Sequence, residues 1–420
     1  RTAETDMSAQ AILHKVDLSQ PRTQHFHFIL PNRPAARHLS LEASESAHGS
    51  ARESLLQYWS QILEQGVSIS VPEERVSNAL KTLIIGTFML VNRDEVRYSA
   101  HNNYDLLYLR ESADATAALM MLGYAAESRR YVSRLLRHRH VYGGVTLQEH
   151  GFKLQLAKRY WDFYSDTDFV ELHLAQLNEF ADDIINGFSD AENGLLPAEE
   201  HCDDVHRKVY PLSQNANCWR GLRDFALLLR NIGKPEEASR YLDAAAEFRT
   251  AILRAVDAST DKSVSPPFLA YMLYGDEKPY DHTVGAFHER DFSGDWERLA
   301  LGAYYNLVMP YVLGSGLFAH DDPRNTHILD YFSEHGSLML GLLRFDKHVF
   351  PTEGNGTDDL YGMRFNTALI RHGRIRQALL AFYSKLAHGL TRDTFIGCEV
   401  AEVQPRPGWA RRPMCRPPNS

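Results

Sequence analysis

Asn193-Gly-Leu-Leu-Pro-Ala-Glu-Glu-His-Cys-Asp-Asp-Val-His206 separates two long helical patterns, one near 169–187 and one near 213–232. The Asn193-Gly194 pair and Pro197 end the first helix. Glu199, Glu200, Asp203 and Asp204 are therefore expected on irregular backbone, where binding and catalytic groups tend to lie. The helix that follows ends differently: Gly233-Lys-Pro235 turns the chain at once, with Gly closing one helix and Pro opening the next. A long link before a helix and a short one after it set the pattern on which the fold reading rests.

The same alternation recurs along the chain. Apolar residues at helical spacing (Leu55, Leu56, Trp59 and Leu63, then Val76, Ala79, Leu80, Leu83, Ile84 and Phe88) begin a nearly continuous helical pattern. Further helices are predicted near 105–121, 125–139, 149–165, 169–187, 213–232, 235–257, 295–307, 324–345, 359–372 and 374–389. Short turns at Gly123, Asp166-Thr167, Gly233-Lys-Pro235 and Gly373 alternate with long loops near 93–104, 140–148, 188–212, 258–294, 346–358 and from 390 onward. Antiparallel helices joined in this way carry every long loop at one end, because each helix reverses direction. The segment from Val308 to Pro323 breaks the rule, being longer than its place predicts.

Counting from Val76 gives eleven helices, or twelve with the Leu55–Leu63 segment, the number in an (α/α)6 barrel. A helical solenoid would show a self-similar repeat of about 34 to 47 residues, and no such repeat is present. The expected fold is all-α, an (α/α)6 barrel of helical hairpins over 51–420. A short β or irregular segment, or a linker, is expected over 1–50, where Pro21, Pro31, Pro34 and the alternating His25-Phe-His-Phe-Ile-Leu30 lie. The chain stops before a helix could follow the last loop. Either the N-terminal segment fills that place or the barrel is truncated at the C-terminus.

The 420 residues are 44% hydrophobic and 24% charged, and no apolar run approaches the roughly 18 residues of a membrane helix. A formal charge of -9 argues against a phosphate-neutralising surface, so neither nucleic acid nor membrane is an expected partner. Cys202, Cys218, Cys398 and Cys415 are too few for a disulfide framework and lack paired spacing. His201-Cys-Asp-Asp-Val-His206 lacks the spacing of a zinc site, so no metal or other cofactor is expected. Gly314-Ser-Gly-Leu-Phe-Ala319 follows no strand and is not read as a nucleotide loop. The chain starts at Arg1, consistent with a removed signal peptide, and an exported location is favoured over a cytoplasmic one. Its oligomeric state is not legible.

Tyr104-Asp-Leu-Leu-Tyr-Leu-Arg-Glu111 enters a helix from a long loop and brings Arg110 and Glu111 to the functional end. A planar guanidinium beside an acid suits paired sugar hydroxyls, though a solvated helix pair reads the same way. Gln148-Glu-His-Gly151 opens another helix, with Arg159-Tyr-Trp-Asp162 some three turns on. Trp161 is a core residue or a sugar-stacking platform. Asn217-Cys-Trp-Arg-Gly-Leu-Arg223 opens the helix after the acidic loop, so Trp219 and Arg220 are candidates to face Glu199 and Glu200, while Leu222 packs. His138-Arg-His140 reads as a helix C-terminus, and Asn355-Gly-Thr357 as a glycosylation sequon or as an N-cap at Thr357. Glu399 sits in the last long loop, on the same predicted end as Glu199. Two carboxylates converging from distant loops are what acetal hydrolysis needs, one to protonate the leaving oxygen and one to activate water.

At Tyr108-Leu-Arg-Glu-Ser112, Asn193-Gly-Leu-Leu-Pro197 and Gly397-Cys-Glu399 the chain resembles the six-hairpin glycosidase superfamily, the glucoamylase-like (α/α)6 barrels, over nearly all of 53–420. The resemblance implies that Arg110 holds sugar hydroxyls, Glu199 or Glu200 is the general acid, and Glu399 is the general base. Glu111 stands where that superfamily usually has Asp, Cys398 intrudes between Gly397 and Glu399, and Glu199-Glu200 departs from the glucoamylase context. The implied activity is inverting hydrolysis of an oligo- or polysaccharide, with Tyr104, Glu111, Trp161, Trp219, Arg220 and Asp204 as further substrate-binding candidates. Glu200 is preferred over Glu199 as the acid, with Asp204 in reserve. A polysaccharide lyase and a non-catalytic carbohydrate- or partner-binding scaffold are the alternatives.

Overall fold

A computed structural model of the chain describes residues 45–99, 105–139, 146–201, 205–279, 296–335, 337–345, 355–358, 361–397, 400–403, 405–406, 409–410 and 414–415. Two compact units are present, Arg1–Glu64 and Gln65–Ser420. The first is described from Glu45 onward, and its described residues lie in α1 (Glu45–Gln65), a helix that starts within the stretch expected as linker. His25–Leu30 lies outside the described residues.

The second unit holds α2 (Glu74–Met89), α3 (Leu109–Met121), α4 (Ala125–Arg137), α5 (Thr146–Tyr164), α6 (Thr167–Ser189), α7 (Leu212–Asn231), α8 (Pro235–Ser259), α9 (Trp296–Ser315), α10 (Pro323–Glu334), α11 (Gly362–Arg371) and α12 (Ile375–Ser384). The fold is an all-α barrel of helical hairpins. Helices α3, α5, α7, α9 and α11 pack side by side in chain order, and each is backed by the next even-numbered helix. The N-terminus of α2 is tied to the end of α12: Arg75 Nη2 donates to the Leu386 carbonyl at 2.7 Å, and Tyr383 Oη donates to Glu73 at 3.2 Å.

Links that follow an inner helix have two to seven residues, and those that precede one have eight or more. The short turns use left-handed backbone where glycine has no Cβ to clash, at Gly233 (φ +80°) and Gly373 (φ +71°). Asp166 caps α6 instead, accepting the Phe169 N–H at 3.0 Å. The irregularity expected over 308–323 disappears, because α9 runs on through Pro310 to Ser315 and leaves a link of only Gly316–Asp322. Burial of Met309, Tyr311, Val312 and Leu313 outweighs the local cost of the proline. All long connections therefore gather at the N-terminal ends of the inner helices.

Those connections also carry the strands: β1 (Val91–Asn92), β2 (Glu95–Val96), β3 (Glu199–His201), β4 (Val205–Pro211), β5 (Thr260–Asp261), β6 (Phe268–Leu269), β7 (Met272–Leu273), β8 (Leu338–Met339), β9 (Leu342–Phe345) and β10 (Asn355–Asp358). After α12 follow β11 (Val400–Val403), β12 (Pro405–Arg406), β13 (Trp409–Ala410) and β14 (Met414–Cys415). Two expectations change here. The helix expected over 324–345 ends at Glu334, and a hairpin turns at Leu340 (φ 56°) and Gly341 (φ 81°) to form β8 and β9. Asn355–Thr357 lies in β10 between β9 and β11, so Thr357 is a buried strand residue and not the N-cap.

Two features hold the ring together. Helices α5 and α7 cross at backbone contact: a Cβ on Gly221 would meet the Gly151 carbonyl oxygen at 2.6 Å, and one on Gly151 would meet Cys218 Cα at 2.8 Å. The two ends of the ring meet where Arg364 of α11 forms a two-pronged ion pair with Asp114 of α3, with Nη2 to Oδ1 at 2.8 Å. Tyr311 of α9 donates to Asp114 Oδ2 at 3.1 Å and lays its ring 3.8 Å from the Arg364 guanidinium carbon.

Gly221→Ala is expected to destabilise the chain by about 1–3 kcal/mol although alanine favours helix, because α5 must retreat. A urea midpoint at or above that of the unmodified chain would show the crossing to be loose. Asp114→Ala is expected to cost about 3–5 kcal/mol by leaving the Arg364 charge buried and unpaired, and thermal unfolding reads this directly.

Candidate active site

The loop from Asn193 is fixed by polar side chains of the α7 first turn. Asn193 Oδ1 accepts the Leu195 N–H at 3.0 Å, closing a local turn, and Arg254 Nη2 donates to the Asn193 carbonyl at 3.1 Å. Asn215, fully buried, accepts the Leu196 N–H at 3.0 Å and donates to the Pro211 carbonyl at 2.9 Å. The chain then forms β3, which pairs with β4 in the register Glu199↔Val209 and Glu200↔Lys208. Glu199 and Glu200 thus sit on strand, not on irregular backbone, and strand alternation sends them to opposite faces. Glu199 is 9% exposed, whereas Glu200 is solvent-exposed.

Strand β4 passes directly into α7, which brings Gln214 under β3. Gln214 Nε2 donates to Glu199 Oε2 at 3.1 Å, while Gln214 Oε1 is buried with no protein partner. Burial pushes the Glu199 carboxyl up to about 8; the Gln214 hydrogen bond and then the Arg110 charge act in the opposite direction without reversing it. Glu199 is accordingly protonated at neutral pH. Arg110, in the first turn of α3, lies 4.9 Å from the Tyr311 ring and 5.6 Å from the Phe152 ring. Glu111 accepts from Tyr361 Oη at 2.7 Å, tying α3 to the residue that precedes α11. A carboxylic acid on β3, a hydrogen-bonding amide on α7, a guanidinium on α3 and aromatic rings on α5 and α9 are thus brought together.

The other sequence candidates fall into two groups. Tyr104, Asp204 and Glu399 lie outside the described residues, as do Asp203, Cys202 and Cys398. Trp161, Trp219 and Arg220 are described but are not brought to Glu199. Trp161 is near the far end of α5, about 20 Å along the helix from its start. Trp219 is core, its ring covered by Arg223 and by Arg249 of α8. Arg220 donates to Asp224 at 2.6 Å and to the Ser315 carbonyl at the C-terminal end of α9 at 2.9 Å. Gln214, Asp114, Tyr311 and Arg364 were not foreseen. Of these, only Asp114 had a local signal, its i,i+4 spacing from Arg110.

No family model matches the chain, and no curated protein matches it. Solved structures do. A structure described as a wild-type glycosidase superposes with a TM-score of 0.57 at 13% identity, covering 79% of this chain and 88% of that one. Two others, glycosidases each carrying a glutamate-to-alanine substitution, have TM-scores of 0.56 at 13% identity and cover 78% of this chain and 87% of theirs; one of them holds glucose. The chain shares the fold of these glycosidases.

Because Glu199 binds its proton more tightly when folded than its ordinary value of 4.5 allows, the native state holds the extra proton between that value and about 8. Stability from this residue therefore falls as pH rises through that window. Glu199→Gln is expected to flatten the dependence and to stabilise the chain at pH 7 by on the order of 2–3 kcal/mol. Melting curves at pH 5 and pH 8 for both proteins test this, and parallel curves would remove the buried proton from Glu199.

Proposed function

We propose that the chain is a glycoside hydrolase acting on an oligo- or polysaccharide, with Glu199 as general acid. The observation that carries this is a carboxylic acid kept protonated at neutral pH by burial, at the end of the barrel where the long connections gather. Such an acid gives its proton to the leaving glycosidic oxygen as the bond to the anomeric carbon breaks. Gln214 fixes the orientation of the carboxyl. Arg110, held over Tyr311 and Phe152, offers N–H donors to further hydroxyls. The glucose held by one of the similar glycosidases supports a sugar ring as the occupant.

Glu399 is assigned as the general base. It takes a proton from the water that attacks the anomeric carbon on the face opposite Glu199, so the configuration inverts. This requires the two carboxyls to stand about 6.5–9.5 Å apart. Support comes from its place in the sequence, in the last long connection, between the Leu390–Gly397 bridge and β11.

A glycoside panel with the product anomer followed by NMR is the direct test. First-formed product of opposite configuration to the substrate is expected, and retained configuration would exclude the Glu399 role. Glu199→Gln and Glu399→Gln should each lower kcat by about 10²–10⁴-fold, whereas Glu200→Gln should stay near full activity. For Glu199→Gln the loss should shrink on substrates whose leaving group needs no proton. Activity of the unmodified enzyme should decline above about pH 8, as Glu199 gives up its proton.

A further inference from the structure

Deeper in the inner ring than Phe152 lies a second set of charges that the proposed hydrolysis does not use. Arg159 lies two turns beyond Phe152 on the same side of α5, about 10 Å deeper along the axis. Its side chain keeps contact with solvent but is crowded by protein atoms: burial is the largest influence on it and lowers its proton affinity, followed by the charges of Arg364, Asp114, Arg220 and Asp224, from α11, α3 and α7. A side chain open to water and ringed by three other inner helices points into the lumen of the barrel.

Its neighbours are arranged around one shared carboxylate. Arg220 Nε donates to Asp224 Oδ2 at 2.6 Å, and Arg223 Nη2 donates to Asp224 Oδ1 at 3.1 Å. The two guanidiniums stand side by side against the α9–α10 link, where a Cβ on Gly316 would lie 3.7 Å from Arg223 Nη1 and 3.8 Å from Arg220 Nη1. Arg223 Nε is buried without a protein partner. Asp114 is taken up by the two prongs of Arg364. Four cations (Arg159, Arg220, Arg223, Arg364) thus face two carboxylates (Asp114, Asp224), which leaves two positive charges in excess. No carboxylate among the described residues pairs with Arg159.

We infer that this cluster is a binding site for a small oxyanion, with Arg159, Arg220 and Arg223 as its ligands. Guanidinium groups present forked N–H donors that match a tetrahedral or planar oxyanion. Like charges confined in a partly desolvated lumen repel, so an anion that binds there stabilises the fold as well as satisfying the donors. The site is separate from Glu199, and the hydrolase reading stands or falls without it.

The test is thermal unfolding of the whole chain in inorganic phosphate against sodium chloride of matched ionic strength, with calorimetric titration of phosphate. Phosphate is expected to raise Tm by several degrees in a saturable way, and chloride to have little effect. Arg159→Gln should raise the phosphate-free Tm, because a repelling charge is gone, and should lose the phosphate increment. Arg223→Gln should weaken phosphate at least tenfold, and it decides the matter if Arg159→Gln does not fold. An equal rise in chloride, or an undiminished phosphate increment in both variants, would overturn the site.

Discussion

The barrel depends on the ion pair between Arg364 and Asp114. A ring built from consecutive hairpins has neighbours supplied by the chain everywhere except at its seam, where α11 must meet a helix 250 residues earlier. Loop-closure entropy opposes so distant a contact, so the interaction must be specific as well as strong. A forked guanidinium on a carboxylate supplies both. Its surroundings are built to fit: Tyr311 donates to the carboxylate and stacks on the guanidinium, and Gly314 leaves the room that the Arg364 methylenes fill, since a Cβ there would lie 2.8 Å from Cδ. Tyr361 and Glu111 add a second hydrogen bond at the same seam. Arg110, one turn before Asp114 on α3, therefore owes its position to ring closure.

The helical skeleton was legible because period and punctuation agreed: Gly123, Gly233 and Gly373 each mark a reversal that the structure contains. Errors arose where tertiary burial overrode local chemistry. Pro310 reads as a breaker but sits in a helix packed on every side, and Leu340-Gly341 reads as helix until its left-handed backbone turns a hairpin. The site was legible as a region and not as a set of side chains. Proximity in sequence to the acidic loop suggested Trp219 and Arg220, yet at 1.5 Å of rise per residue they stand about 10 Å below the start of α7, and Gln214 in the first turn is the residue that reaches Glu199. Arg364 carried no signal at all, because its meaning lies in a partner at the other end of the ring.

The choice between adjacent acids shows how local geometry decides chemistry. Glu199 and Glu200 have the same side chain and differ by one position, and on a strand one position is a change of face. Pairing with β4 fixes which face each takes, and only Glu199 loses its water. Its elevated proton affinity costs stability at neutral pH, a cost that a fold would shed unless the protonated acid were of use.

What keeps Glu199 protonated is also a matter of where the nearest cation is held. A full positive charge at about 4 Å with an effective dielectric constant near 20 is worth about 4 kcal/mol, enough to cancel most of the upward shift. Arg110 does not cancel it and is the weakest of the three influences on that carboxyl. The guanidinium is drawn instead over the rings of Tyr311 and Phe152, in a part of the ring where Asp114 and Glu111 also offset its field. The aromatic pair thus holds the cation where it leaves the acid its proton. Tyr311 takes part in both arrangements, one face of the seam and one of the site, so the residues that close the barrel are also those that set the chemistry at its open end.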